Sequence, residues 1–106
     1  MVTFEDFKKL DLRIGRIISV ADHPNATKLY VIRADWGEGE KQLVAGLKQY
    51  YTPEQLAGRT IVVVANLEPV VLRGVESQGM LLACQDGERV MLLQPDASAA
   101  PGAKVS

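Results

Sequence analysis

Three features of the 106-residue chain predict an all-β class. Short apolar runs rich in β-branched side chains recur within residues 10–20 and at 29–32, 61–64 and 80–84, the pattern of strands buried on at least one face. Turn-forming clusters separate them, at residues 21–27, 37–40 and 86–87. Helix punctuation is confined to two places with room for only a turn or two each. Together these match a five-stranded Greek-key barrel of the OB type, with a short N-terminal helix and a short helix between strands 3 and 4. An SH3-like barrel is the alternative.

Each element follows from its residues. In residues 3–10, Thr3 caps, Glu5 and Asp6 open and Lys8 and Lys9 close a helix in the order the macrodipole favours. Phe4 and Phe7 lie one turn apart and call for a surface to cover. Residues 10–20 form a long first strand, with Gly15 marking a bulge or bend. Residues 28–35 and 41–46 form a hairpin across Gly37-Glu38-Gly39-Glu40. Thr52-Pro53 and Gly58 bound a short helix, with threonine at the N-cap, proline at the first helical position and glycine past the end. Residues 59–66 are the fourth strand. Residues 66–80 then form a shaped loop, in which Pro69 cannot donate to a ladder and Gly74 and Gly79 permit positive φ. Arg73, Ser77 and Gln78 arm that loop with hydrogen-bonding groups. Residues 80–93 close the barrel as a hairpin turning at Asp86-Gly87. The barrel thus covers about 10–93 of a single domain spanning 1–106. In the tail, 94–106, Ala103-Lys104-Val105 is a candidate edge strand.

In Ile61-Val62-Val63-Val64 and Met80-Leu81-Leu82-Ala83 consecutive residues, which point to opposite faces, are all apolar. The outer face therefore needs a cover, in part the N-terminal helix and for the rest a second copy of the chain.

Totals exclude several classes of function. No apolar run approaches the ~20 residues of a membrane span, and the N-terminus lacks the basic flank and apolar stretch of a secretory signal, so the expected location is the cytoplasm. Cys84 is the only cysteine, which rules out an intrachain disulfide and a multi-thiolate metal site; its apolar neighbours predict a core position. His23 is the only histidine and reads as a loop residue bonding locally. No nucleophile, base and orienter assemble, and no phosphate-cradling glycine motif occurs, so the chain reads as a non-enzyme with no cofactor and no metal. Asp35, Glu38, Glu40 and Glu54 read as a solvated acidic face. Net charge is −1, so binding of a polyanion requires cations segregated onto one face. Arg13, Arg16, Lys28, Arg33, Lys41, Lys48, Arg59 and Arg73, mostly on strands or at their ends, are the candidates. Trp36, Tyr30, Tyr50 and Tyr51 read as packing residues rather than as base-stacking platforms.

Five motifs in order carry a resemblance covering about residues 4–93: Lys9-Leu10-Asp11-Leu12-Arg13-Ile14-Gly15-Arg16-Ile17, His23-Pro24-Asn25-Ala26-Thr27-Lys28-Leu29, Val44-Ala45-Gly46-Leu47, Ala65-Asn66-Leu67-Glu68-Pro69 and Gly74-Val75-Glu76-Ser77-Gln78-Gly79-Met80. The chain resembles the OB-fold tRNA-binding domain found at the C-terminus of bacterial methionyl-tRNA synthetases, in the endothelial monocyte-activating polypeptide and as a stand-alone dimeric protein. Beginning at Met1, it resembles the stand-alone form or an excised synthetase domain. The resemblance implies binding to the outer corner of folded tRNA by shape, without chemistry, by a homodimer and in the company of an aminoacyl-tRNA synthetase. It implies phosphate contacts by Lys28, Lys41 and Arg73, phosphate or sugar contacts by Asn25, Ser77 and Gln78, and an apolar contact by Met80. Their structural alternatives are a turn cap for Asn25, a loop pin for Gln78 and a core place for Met80. Thr27 stands where the family has an acidic residue and Lys41 where arginine is common. Glu68, Val70 and Val71 occupy positions often basic in relatives, which lowers the expected affinity. A sister branch, a dimeric secretion-related chaperone, has a similar ending but lacks Ser-Gln-Gly-Met; a dimeric protein-interaction module or chaperone is the alternative function.

Overall fold

The computed structural model describes residues 1–106 and is an antiparallel sheet curled into an OB-like barrel. Its elements are α1 (Phe4–Lys8), β1 (Leu12–Asp22), β2 (Tyr30–Asp35), β3 (Glu40–Ala45), α2 (Pro53–Leu56), β4 (Thr60–Val64), β5 (Val70–Leu72), β6 (Val75–Ser77), β7 (Met80–Leu81), β8 (Ala83–Asp86), β9 (Arg89–Leu92) and β10 (Lys104–Val105). The main sheet runs β3-β2-β1-β4-β7, with β10 added beside β1. No helix is long and apolar enough to cross a membrane.

β1 serves both halves of the barrel: its first part pairs with β4 through Leu12–Val64 to Arg16–Thr60, and its second with β2 from Arg16–Asp35 to Asp22–Tyr30. The switch falls where the β1–β2 register shifts, between Ile17 and Ser19, so the bulge lies past Gly15 and not at it. Gly15 has a different task. A Cβ there would meet Val63 Cγ2 at 3.2 Å, so the glycine lets β1 and β4 close over the core.

The core holds Ile17, Tyr30, Ile32, Ala34, Trp36, Leu43, Leu47, Leu56, Ile61, Val63, Leu81 and Leu92. Tyr30 donates to the Tyr51 carbonyl at 2.8 Å, and the Tyr51 hydroxyl accepts the Leu92 N–H at 3.1 Å, so the packing tyrosines also tie the segment before α2 to β9. Tyr50 stays exposed. α2 carries a full capping box between Thr52 and Gln55 and sets Leu56 into the core.

Several expectations need correction. The shaped loop at residues 66–80 is built on the β5–β6 hairpin, a separate two-stranded sheet, before Met80 opens β7. The final hairpin is broken at Leu82, so β7 stays with β4 while β8 pairs with β9. Cys84 is exposed on β8, every residue of which faces solvent, while the partner strand β9 returns Leu92 to the core. α1 buries none of its residues: Phe4 and Phe7 line an open groove with Leu10 and Val105. The outer-face residues Leu12, Ile14, Val62 and Val64 are nevertheless buried within one chain, while Met80 and Ala83 are exposed.

The candidate edge strand in the tail forms as β10. Lys104 and Val105 pair with Arg13 and Leu12, and Gly102 approaches Gly37 so closely that a Cβ on Gly37 would lie 2.7 Å from the Gly102 Cα. A charge chain fastens this corner. Arg13 binds Asp11 at 2.8 Å and Glu38 at 2.9 Å; Lys104 reaches Asp11 at 3.4 Å and Lys41 reaches Glu38 at 3.2 Å. Glu38 and Glu40, expected on a solvated face, are ion-paired, the latter to Arg33. The hydrogen bonds from Arg13 hold the Asp11 carboxyl below its ordinary range, and Asp11 in turn raises the Arg13 guanidinium.

Candidate nucleic-acid interface

Two connections, far apart in sequence, meet at one end of the barrel. The β1–β2 loop brings Asn25, Ala26, Thr27, Lys28 and Leu29; the β5–β6 turn brings Arg73; together they line an open concavity. Leu72 and Val75 are paired, so Arg73 and Gly74 are the two turn residues, with φ of +53° and +86°. Positive φ at both is the requirement of a type I′ turn, whose twist suits a hairpin. Glycine meets it freely. Arg73 is the only non-glycine residue at positive φ in the chain, and left-handed backbone costs an L-residue about 1–2 kcal/mol.

Hydrogen bonds hold that conformation. The Asn25 side-chain amide donates to the Arg73 carbonyl at 3.1 Å. His23 is buried, and its Nδ1 accepts the Asn25 backbone N–H at 2.9 Å, so Nε2 carries the proton and donates to the Leu72 carbonyl at 2.9 Å. The histidine expected to bond locally does so with one nitrogen and crosses to the hairpin with the other. Sequence reasoning missed this role; the signal available was a lone histidine sharing one motif with Asn25 and Lys28.

The base of the hairpin is fixed differently. β3 is an edge strand, and its outward N–H groups at Gln42 and Val44 are met by side chains: Gln78 Oε1 accepts the first at 2.8 Å, Ser77 Oγ the second at 3.0 Å. Ser77 Oγ also donates to the Gly79 carbonyl at 2.9 Å, the Gln78 N–H donates to the Gln42 carbonyl, and Gln42 Nε2 donates to the Glu76 carbonyl. The Ser77 hydroxyl is therefore buried, with its one proton committed to Gly79 and one lone pair to Val44. Gln78 spends its oxygen on β3 and keeps only its amide NH₂. Both act as pins that close the barrel edge.

Charge sorts the remaining candidates. Of the twelve basic residues seven are ion-paired: Lys8, Lys9, Arg13, Arg33, Lys41, Lys48 and Lys104. Lys28 and Arg73 are not, so the concavity carries two cations that no carboxylate neutralises. Lys41 lies elsewhere. It pairs with Ala34 while Ala45 pairs with Tyr30 beside the loop, so it sits about 13 Å farther along β3. The sequence grouped Lys41 with Lys28; strand direction separates them. Met80 is exposed on a crest between two apolar crevices, one lined by Val44, Leu67, Val70 and Leu72, the other by Ala45, Leu47, Ala83 and Val90.

Residues 12–104 match the family described as "Putative tRNA binding domain". The methionine–tRNA ligase of Pyrococcus abyssi is 64% identical over 104 residues, covering 98% of this chain but only 14% of that protein, so the chain spans about a seventh of the length of such curated relatives. Among solved structures, a MetRS-related protein from Pyrococcus horikoshii superposes with a TM-score of 0.92 at 29% identity, over 100% of this chain and 98% of that one. The chaperone CsaA from Bacillus anthracis superposes at 0.89 with 37% identity, over 100% and 99% of the two chains.

Proposed function

The chain belongs to the tRNA-binding-domain family, and from that membership we propose that it binds folded tRNA by its phosphate backbone, without catalysing a reaction. The observation that carries this reading is the concavity where Lys28 and Arg73, both free of ion pairs, stand beside Asn25. Phosphates supply the opposite charge, and a protein that reads backbone and shape has no need of an exposed aromatic platform. Met80, between apolar crevices, adds contact with a sugar or base face, and the free amide of Gln78 a polar one. Lys41 joins at the periphery once it exchanges Glu38 for a phosphate. Ser77 contributes by holding the hairpin in place.

The site on tRNA is the outer corner, and the protein acts as a homodimer, since one chain of net charge −1 offers few free cations and a second copy doubles them. Likeness to part of the methionine–tRNA ligases suits a companion or appendage of such a synthetase, working in the cytoplasm. Neutralising about four phosphates gives a log–log salt slope near −3. Lys28→Ala or Arg73→Ala weakens all tRNAs alike and lowers the slope by about one. Affinity independent of salt, or loss confined to one tRNA, contradicts the reading.

The apolar crevices beside Met80 and the likeness to CsaA favour one second reading, capture of extended polypeptide. Competition settles between the two: under the first, unfolded polypeptide leaves the tRNA complex intact and aggregation of a client protein proceeds unchecked.

A further inference from the structure

Resting on the assignment of this concavity to tRNA, we propose that His23 is a positioning residue that sets the placement of Arg73 relative to Lys28. The β5–β6 hairpin forms no ladder with the main sheet. Its base is pinned to β3 through Ser77 and Gln78, which leaves the Arg73–Gly74 tip to be located by something else. That something is the β1–β2 loop. His23 Nε2 holds the Leu72 carbonyl, Asn25 Nδ2 holds the Arg73 carbonyl, and His23 Nδ1 fixes Asn25 through its backbone N–H. The His23 N–H itself donates to the Leu29 carbonyl at 3.1 Å, closing the loop that carries Lys28. One buried imidazole therefore touches both cation-bearing segments, and each of its ring nitrogens has one partner.

The left-handed Arg73 supports the same conclusion. An arginine at this φ persists where its surroundings over-determine it, and here the carbonyls of two consecutive residues, Leu72 and Arg73, are each held by a donor from the other loop. A turn needing only its own hairpin has no use for these bonds; a turn that must hold a cation at a set place does.

The two ring nitrogens separate experimentally. In His23→Asn the short amide occupies the Nδ1 position and keeps the bond to Asn25 but cannot reach Leu72; in His23→Gln the longer amide reaches the Nε2 position and keeps the link to the hairpin. Dissociation constants are measured on the full chain with a folded tRNA transcript, for both variants, Arg73→Ala and the double variant H23N/R73A, alongside amide spectra and melting midpoints. H23N is expected to weaken binding about as much as R73A, of the order of three- to tenfold, and to shift the Arg73 and Gly74 amides. H23Q is expected to retain most of the affinity. H23N is expected to add little once Arg73 is already alanine, the signature of acting through it. Equal losses in H23N and H23Q, or losses that multiply in the double variant, overturn the proposal; if H23N melts out, H23Q decides alone, and weak binding by a folded H23Q overturns it. An R73A variant that binds as well as the parent overturns the tRNA site itself, so the two failures are distinguishable.

Discussion

At Arg73 backbone and side chain have opposing requirements: the turn favours glycine, and the binding surface needs a cation. Arg73→Gly is therefore expected to stabilise the fold, by up to about 1 kcal/mol in thermal or denaturant unfolding, while weakening tRNA binding. Gly79 shows the opposite situation. A Cβ there would lie 3.2 Å from two atoms of the fully buried Trp36 ring and 3.3 Å from Val63, neither of which can retreat, so Gly79→Ala is expected to cost about 1–3 kcal/mol of stability. Both glycines of the Gly74-to-Met80 motif were visible in the sequence as permissive positions. That Gly74 answers a φ requirement and Gly79 a packing one was not, because the distinction depends on the Trp36 ring, brought in just past the end of β2.

Among elements, β3 stands out for an edge satisfied by side chains. Ser77→Ala leaves the buried Val44 N–H without a partner, at a cost of about 1–3 kcal/mol, and frees the hairpin base, so stability and tRNA affinity are expected to fall together. Sequence marked Ser77 and Gln78 as special and offered a loop pin for Gln78; that both meet N–H groups of β3 was hidden, because only the register reveals two strand donors waiting for acceptors. β10 is held by its backbone ladder with β1 and, beside it, by charge pairing. Because Arg13 lowers the Asp11 pKa, the contribution of this pairing is fully present above the ordinary carboxylate range and is lost as pH falls through the lowered value. Asp11→Asn should therefore flatten the acid limb of a stability profile and loosen the tail, which hydrogen exchange at Ala103 to Val105 would report.

For the molecule as a whole, most of the barrel was legible because it rests on local signals: β-branched runs, capping residues and turn glycines. What stayed hidden is how the pieces sit against one another, namely the pins from the β5–β6 hairpin to β3, the seating of β10 on β1, the exposure of Cys84 on β8, and the ion pairs that occupy seven of twelve basic residues. Composition shows how many cations exist, while only tertiary structure shows which are still available. For the proposed homodimer, sedimentation is expected to give twice the chain mass of 11.6 kDa and one tRNA per pair of chains. A monomer that still binds with the full salt slope would argue that one barrel suffices.

The His23 and Asn25 side chains grasp carbonyl oxygens of Leu72 and Arg73, groups every amino acid possesses. The turn is thus held by its main chain, and the side chain at position 73 is a passenger. Within the limits that its positive φ sets, replacing it exchanges what the protein displays at that spot while the histidine and asparagine bonds to the main chain stay as they are.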